Sequence, residues 1–263
     1  MRFRTSDGVQ LSYTDTGNMT KHPILCLPGI GASHHLWDVL VKLLTPNFRV
    51  LVLDPRNQGR SQRTYKGQRM SIHARDVFEF CQQLGLTGVI GIGNSMGAAT
   101  LWAYQNLYGS GAFRAMVDLD QSPKMICDDT WSYGFTDLTW DTFPELLELE
   151  SARAVVVPLS TEMVVAAKAE YAAYPYSASD NYRLLVDHAF QDWRDVIMDT
   201  KIPLLVVAGK QSPYFDYHFA SAVARLNPKV SAQVISNCGH VVQAEQPQIL
   251  WQMLLKFLQH YGF

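Results

Sequence analysis

The sequence predicts an α/β fold in which a mostly parallel central sheet is flanked by helices on both faces. Short, continuous apolar runs recur along its 263 residues, and such runs are typical of strands that are covered on both sides. Segments with apolar residues at three-and-four spacing separate the runs, and this spacing indicates helices. Strands that alternate with helices in this way form parallel sheets.

The first half of the chain supplies the first strands and helices of this sheet. Residues 9–16 alternate between apolar and polar side chains, which is typical of an antiparallel edge strand. The apolar runs 24–27 and 48–53 predict two buried strands, and the spacing over 36–44 predicts a helix between them. A further helix is predicted over 71–85, with a serine as its N-cap and a glycine at its end.

The stretch 89–99 predicts a strand, a one-residue corner at Ser95 and a helix. A serine in such a corner takes a strained backbone conformation that lifts its hydroxyl off the sheet, where neighbouring side chains would crowd it. Gly93 and Gly97, two positions on either side, remove that crowding. The pattern G-x-S-x-G by itself is also found in ordinary glycine-rich turns, but in this context it makes Ser95 the candidate nucleophile.

The alternation of strands and helices changes after the sixth predicted strand, 113–119. From about 124 to 200 the segment is rich in aromatic residues and has no clear strand. The helices predicted within it cover 144–153, 161–174 and 180–198. The alternation then resumes, with strands at 203–209 and 231–235 and helices at 216–226 and 246–261. We therefore predict a core domain of residues 1–123 and 201–263 and a helical cap, or lid, of residues 124–200.

The composition argues against several classes of partner. The net charge is −2 at pH 7 and no run of lysine or arginine builds a basic face, so we expect no nucleic-acid partner. The first residues are polar, and no apolar run is long enough for a membrane span, so we expect a cytoplasmic protein. The four cysteines are scattered without a C-x-x-C pair, which supports neither a zinc site nor a disulfide framework.

Four segments, in this order, resemble motifs of the α/β-hydrolase superfamily. Residues 28–37 have the spacing of H-G-x-x-x-S-x-x-x-W, with proline at the usual histidine position. Residues 54–61 are similar to D-x-R-G-x-G-x-S, with Asn57 where glycine is usual. The third segment is the Ser95 corner, and the fourth, 239–247, looks like G-H-x-x-x-x-E-x-P. The resemblance covers essentially the whole chain, and it implies an α/β-hydrolase fold with a Ser-His-acid triad and a lid inserted after strand 6.

His240 is the candidate base of such a triad. A serine hydroxyl attacks a carbonyl only when a base removes its proton. His240 follows a predicted strand and a glycine and precedes the last predicted helix. This position places it on a loop at the carboxyl ends of the strands, on the side of the sheet where Ser95 also emerges.

The acid of the triad departs from the commoner family pattern. Many relatives carry it after the seventh strand as G-x-x-D, but Ser212 stands at the matching position here and cannot carry the charge. Other members of the fold place the acid at the end of the sixth strand, where this chain has Asp120. We prefer Asp120 to Asp118, which lies deeper in the strand, where an unpaired charge would be costly. We also prefer it to Asp216.

Two main-chain groups are candidates for stabilising an oxyanion. The N–H of Met96 directly follows the nucleophile at the start of a helix, and the N–H of Ile30 lies in the first family-like loop. Because both donors belong to the backbone, we expect that Pro28 does not abolish catalysis.

These residues together predict a cofactor-independent serine hydrolase that cleaves a small to medium carboxylic ester or thioester through an acyl-enzyme on Ser95. We expect no cofactor, no metal and a monomer or homodimer. A dinucleotide loop is excluded because Met96 stands at the third glycine of G-x-G-x-x-G. Carbon–carbon bond hydrolysis and cofactor-free perhydrolysis use the same triad and stay open. So does a non-catalytic ligand-binding protein on this fold, for which Ser212 and Pro28 would be signs of decay.

Overall fold

The computed structural model describes residues 1–148 and 153–263, and within these ranges the centre of the molecule is one eight-stranded sheet. The strands are β1 (Arg2–Arg4), β2 (Gln10–Asp15), β3 (Pro23–Leu27), β4 (Arg49–Leu53), β5 (Val89–Asn94), β6 (Phe113–Leu119), β7 (Leu204–Gly209) and β8 (Val230–Ile235). Their order across the sheet is β1-β2-β4-β3-β5-β6-β7-β8. The pairs β1–β2 and β2–β4 are antiparallel, and the other pairs are parallel. The predicted fold class is confirmed.

Helices cover both faces of this sheet. They are α1 (Asp38–Leu44), α2 (Met70–Gln83), α3 (Met96–Tyr108), α4 (Thr161–Ala173), α5 (Ala178–Phe190), α6 (Arg194–Met198), α7 (His218–Ala224), α8 (Val242–Glu245) and α9 (Pro247–His260). Alternation along β4 sends Val50 and Val52 to a core under α1 and α9, whereas Leu51 and Leu53 join a second core under α2, α3 and α7. Of the helices in the described ranges, none has the length and apolar character that crossing a membrane requires.

The parallel register brings several loops to one end of the sheet. β5 pairs with β6 so that Asn94 lies opposite Leu119, and β7 pairs with β8 so that Gly209 lies opposite Ile235. The loops that follow these four strands therefore lie side by side at their carboxyl ends. In open α/β sheets this end of the strands is where ligands bind.

The segment between β6 and β7, residues 124–200, is called the cap segment below. It contains α4, α5 and α6, and the sequence predicted a single helix over 180–198 where the structure has α5 and α6. Of the helix predicted over 144–153, the structure has a short 3-10 helix at Glu145–Glu148, and positions 149–152 lie outside the described residues. The division into a core domain and a cap domain stays a prediction.

The antiparallel strand predicted over residues 9–16 is confirmed as β2, but its predicted place at the edge of the sheet is wrong, because β1 pairs along the outer side of β2. β1 has only three residues, and only Phe3 of them is buried. So short a run has no alternation from which a strand could be predicted.

Candidate active site

Ser95 occupies the corner between β5 and α3 with a backbone φ of 53° and ψ of −130°. Positive φ is costly for a residue other than glycine, and such strain is concentrated at functional sites. A Cβ at Gly93 would lie 2.3 Å from the backbone N of Ala98, and one at Gly97 would lie 2.0 Å from the carbonyl oxygen of Leu27. Both contacts are with backbone, so the corner requires glycine at these two positions.

His240 and Asp120 meet in the loops beyond β8 and β6. His240 Nδ1 lies 2.7 Å from Asp120 Oδ2, and both side chains are buried. The N–H of Gly209 donates to Asp120 Oδ1 at 2.9 Å, and the Ser212 hydroxyl donates to Asp120 Oδ2 at 2.6 Å. Asp120, like the serine, has a positive φ of 57°. The carboxylate is thus fixed by three donors, and a proton on Nδ1 leaves Nε2 of the imidazole as the basic nitrogen.

The two alternative acids have other surroundings. Asp118 is buried and accepts the N–H of Gln121 at 3.0 Å. Burial, and then the nearby Asp120 carboxylate, raise the pKa of Asp118 well above its usual range, which favours its neutral form. Asp216 lies at the surface and is paired with His218 Nδ1 at 2.7 Å. In the described part of the chain, neither makes a hydrogen bond or ion pair with His240.

The first family-like loop packs directly against the nucleophile. A Cβ at Gly29 would lie 2.9 Å from Ser95 Cβ, so only glycine allows this approach. Within the described ranges, the N–H groups of Ile30 and Met96 donate to no protein acceptor. Within those ranges there is also no hydrogen bond between the Ser95 hydroxyl and the His240 ring. Catalytic hydrogen bonds are often long before substrate binds, so its absence here does not exclude a catalytic role for either residue.

A cavity of about 1010 Å³ opens above these groups. Ser95, Ile30 and His240 lie in its wall, with Asn94 and Gln121 as further polar residues. Most of the remaining wall is apolar or aromatic and comes largely from the cap segment and the loop after β7, including Met125, Phe135, Leu146, Tyr176, Tyr214 and Phe215. Mostly apolar walls with a few polar groups are typical of small-molecule sites.

The sequence pattern of a family described as alpha/beta hydrolase fold matches residues 22–188, more than half of the chain. The protein belongs to the α/β-hydrolase family. Over 97% of its length it is 25% identical to a non-heme chloroperoxidase of Streptomyces lividans, of which the match covers 98%. A shorter match is to the bifunctional esterase/perhydrolase DCH of Acinetobacter calcoaceticus, at 29% identity over 46% of this chain and 45% of that protein.

Solved structures share the fold of this α/β hydrolase over nearly all of its length. A bromoperoxidase from Bacillus anthracis superposes with a TM-score of 0.82 at 18% identity, covering 98% of this chain and 100% of the other. The esterase EaEST from Exiguobacterium antarcticum also superposes with a TM-score of 0.82, at 19% identity, covering 98% and 99%. At such identities the likeness concerns the fold.

Asn94 ties the base loop of this α/β hydrolase to the nucleophile strand. Its Nδ2 donates to the carbonyl of His240 at 3.0 Å and to that of Leu119 at 2.9 Å. The backbone N–H of His240 donates to Ala154 O of the cap segment at 3.0 Å. In the sequence Asn94 is only an unspecified position of G-x-S-x-G, because nothing local indicates a contact with a residue so far along the chain.

Glu245 holds the same loop from the other side. Its Oε2 accepts the N–H groups of Gly239, Val156 and Val157, each at 2.9 Å, and its Oε1 accepts that of Val241 at 3.0 Å. The two residues that flank the candidate base are therefore bound to one carboxylate, together with two residues of the cap segment. In the sequence Glu245 is only the glutamate of G-H-x-x-x-x-E-x-P, and the motif by itself indicates none of these contacts.

His188 is a second histidine in the cavity wall. Burial lowers its pKa to about 4, so the imidazole is neutral near pH 7. Among the described residues, its Nδ1 has no hydrogen-bond partner and no carboxylate orients the ring. A base with such a low pKa and no orienting acid is poorly suited to activate a serine.

Within residues 1–148 and 153–263, one group of side chains has ligand atoms close enough to consider a metal ion. Ligand atoms of His34, His35 and Glu170 lie within 4.8 Å of one another. However, Glu170 Oε2 is paired with Arg60 Nε at 3.0 Å, and Glu170 Oε1 accepts the Ser33 hydroxyl at 2.6 Å. Because both carboxylate oxygens are engaged and one faces a guanidinium, the group is better described as an ion-pair cluster than as a metal site.

Proposed function

We propose that this α/β hydrolase is a serine hydrolase that cleaves small to medium carboxylic esters or thioesters through an acyl-enzyme on Ser95. The observation that carries the proposal is the buried Asp120–His240 pair, beside the strained Ser95 in the wall of one apolar cavity. The relatives support it, because one that matches part of the chain is named an esterase and perhydrolase.

The proposed reaction has two halves. We expect substrate binding to bring the Ser95 hydroxyl within hydrogen-bond distance of His240 Nε2, which takes its proton as Ser95 attacks the carbonyl carbon. The N–H groups of Ile30 and Met96 then stabilise the oxyanion. His240 passes the proton to the leaving alcohol or thiol, and Asp120 stabilises the imidazolium in between. Water, activated by the same imidazole, releases the acid from Ser95.

Perhydrolysis is the second candidate. In this reaction hydrogen peroxide replaces water as the nucleophile on the acyl-enzyme, so the product is a peracid. The relatives named perhydrolase and non-heme chloroperoxidase favour this candidate. The non-catalytic alternative loses its main argument, because Ser212, which it interprets as a sign of decay, hydrogen-bonds the proposed acid.

Covalent labelling tests the proposal. A fluorophosphonate is expected to modify the wild type with one label per chain and to leave the Ser95→Ala variant unlabelled. Ser179 lines the same cavity, so Ser179→Ala is the matched control and should label like the wild type. The loss of Ser95 should lower kcat for p-nitrophenyl butyrate by at least about three orders of magnitude. Folded wild type that takes up no label would refute the hydrolase function.

The acyl preference and the second candidate are measured on the same protein. We expect p-nitrophenyl esters of short and medium acyl chains to give the highest kcat/KM, because aromatic and apolar residues of the cap segment form much of the cavity wall. A preference for long, micellar acyl chains would contradict this substrate class. Peracid formed in the presence of hydrogen peroxide, and abolished by Ser95→Ala, would establish perhydrolysis.

A further inference from the structure

We propose that Tyr171, in helix α4 of the cap segment, is a positioning residue for the oxyanion donor of Ile30. The inference rests on the proposed function, in which the Ile30 N–H binds the oxyanion. The Tyr171 hydroxyl donates to the carbonyl of Gly31 at 2.5 Å. The N–H of the same Gly31 donates to Gln58 Oε1 in the loop after β4. Both polar groups of the residue that follows Ile30 are thus held, one by the core and one by the cap segment.

The loop has a backbone hydrogen bond of its own around Ile30 and Gly31, a long one from Ala32 N–H to Gly29 O at 3.2 Å, so contacts from outside add to its support. It begins at Pro28, which has no backbone N–H to donate and stands where the family has a histidine. Gly31 has a φ of 71°, a conformation that glycine adopts freely and therefore also leaves freely. Fixing the two peptide groups on either side of Gly31 limits the rotation available to Ile30, whose N–H lies one peptide earlier.

Helix α4 is itself anchored at the residue before Tyr171. The buried Glu170 accepts the Ser33 hydroxyl at 2.6 Å, and its Oε2 lies 3.1 Å from His34 Nδ1. Arg60 Nε lies 3.0 Å from the same oxygen. These contacts hold the C-terminal end of α4 against the loop that continues from Gly31. A hydroxyl that reaches the loop from so fixed a helix can set its position.

Because the hydrogen bond acts through the loop, its loss should affect the oxyanion more than substrate binding. Removing an oxyanion donor outright typically costs roughly two to three orders of magnitude in kcat. Misplacing the donor without removing it should cost a part of this. For Tyr171→Phe we expect kcat to fall roughly 10-fold, with KM changed less than about 2-fold.

The matched control is Tyr174→Phe, at the C-cap of the same helix. Tyr174 is 40% exposed and Tyr171 38%, and the hydroxyl of Tyr174 makes no hydrogen bond within the described residues. Each variant is assayed with p-nitrophenyl butyrate and with two inhibitors of matched shape. One is a trifluoromethyl ketone, which forms a tetrahedral oxyanion on the serine. The other is its analogue with an ether oxygen in place of the carbonyl group, which forms none.

The inference is supported if Tyr171→Phe lowers the affinity for the ketone by the same factor by which kcat/KM falls and leaves the affinity for the ether unchanged. The melting temperature of Tyr171→Phe should then lie within about 1 °C of that of Tyr174→Phe. The inference is overturned if Tyr171→Phe retains the kcat of Tyr174→Phe, or if ketone and ether lose affinity equally, which is the result of a general packing defect. Fluorophosphonate labelling of Ser95 in both variants distinguishes failure of this inference from failure of the proposed hydrolase function. A wild type that is not labelled would overturn both.

Discussion

Asp120 is the residue whose substitution tests the proposed triad most sharply. In Asp120→Asn the amide cannot accept the Nδ1 proton as a carboxylate does, and the imidazole is left in the wrong tautomer. We expect kcat to fall by up to about four orders of magnitude while the protein stays folded. Asp216→Asn is the matched control, because Asp216 pairs with the exposed His218, and it should keep near-normal turnover. Equal turnover in the two variants would contradict the assignment of the acid.

A second substitution that restores activity to Asp120→Asn tests the same assignment. Ser212 Oγ lies 2.6 Å from the Asp120 oxygen that meets His240 Nδ1. A carboxylate at position 212 should therefore reach the imidazole, and Ser212→Asp added to Asp120→Asn should recover at least about 10-fold of the lost kcat. No recovery in a folded double variant would mean that position 212 only supports the acid at 120.

For individual residues, the sequence predicted the candidate catalytic side chains but not the residues that position them through hydrogen bonds. Ser95, His240 and Asp120 were selected from motifs and strand ends, which are local features. The contact of Ser212 with Asp120 joins residues far apart in the chain and depends on the register of β6 and β7. Asn57 stands where the family has glycine, and its φ of 64° keeps the left-handed conformation that asparagine tolerates better than most residues.

At the scale of elements, the loop between β8 and α8 depends on Glu245. Its carboxylate accepts four backbone N–H groups, and the amide of Glu245→Gln would direct its own donors at some of them. We expect the free energy of unfolding to fall by about 2–3 kcal/mol in urea titrations and kcat to fall with it. Glu162→Gln, an exposed acid in the first turn of α4, should change stability by less than about 1 kcal/mol. Similar losses in both variants would contradict the role of Glu245.

The elements themselves were predicted where their signal is continuous. β3, β4 and β7 are largely apolar runs with glycine, proline or polar residues at or next to their ends, and each was placed to within a few residues. The boundary between α5 and α6 was missed because it depends on contacts with a distant segment. Between the two helices, Asp192 pairs with Lys124 in an isolated antiparallel bridge, and the N–H of Trp193 donates to Pro123 O at 2.9 Å. Periodicity cannot separate two helices that continue the same apolar face.

For the whole molecule, the cluster around His34 links the cap segment to the core and makes this link sensitive to pH. Burial alone would lower the pKa of His34, but the carboxylates of Asp54, at 3.5 Å, and Glu170, at 3.1 Å, raise it overall, against the opposing charge of Arg60. The ring of His35 packs against it at a tilt of 36°, with the ring centroids 4.2 Å apart. A raised pKa means that protonated His34 stabilises the fold below its ordinary pKa, and this stabilisation is lost as pH rises through the raised value.

The prediction concerns the difference in unfolding free energy between wild type and His34→Gln. That difference should be largest near pH 6 and shrink towards pH 9 in urea titrations at stepped pH. The subtraction is needed because buried neutral groups such as His188, with a pKa of about 4, make the whole protein less stable below about pH 6.5. A difference that grows with pH would show that His34 is not stabilised as a cation.

The contact between Asp120 and Ser212 also has a consequence for how the position of the acid can change during evolution. Two loops, from neighbouring strands, converge on the same oxygen beside His240, so an ancestor with carboxylates at both positions would hold them close enough to share a proton. Either carboxylate could then be replaced without passing through an inactive intermediate. Among such proteins the position of the acid in the chain is therefore weak evidence of evolutionary relationship. The serine corner, whose glycines are fixed by contacts with backbone, is the better one.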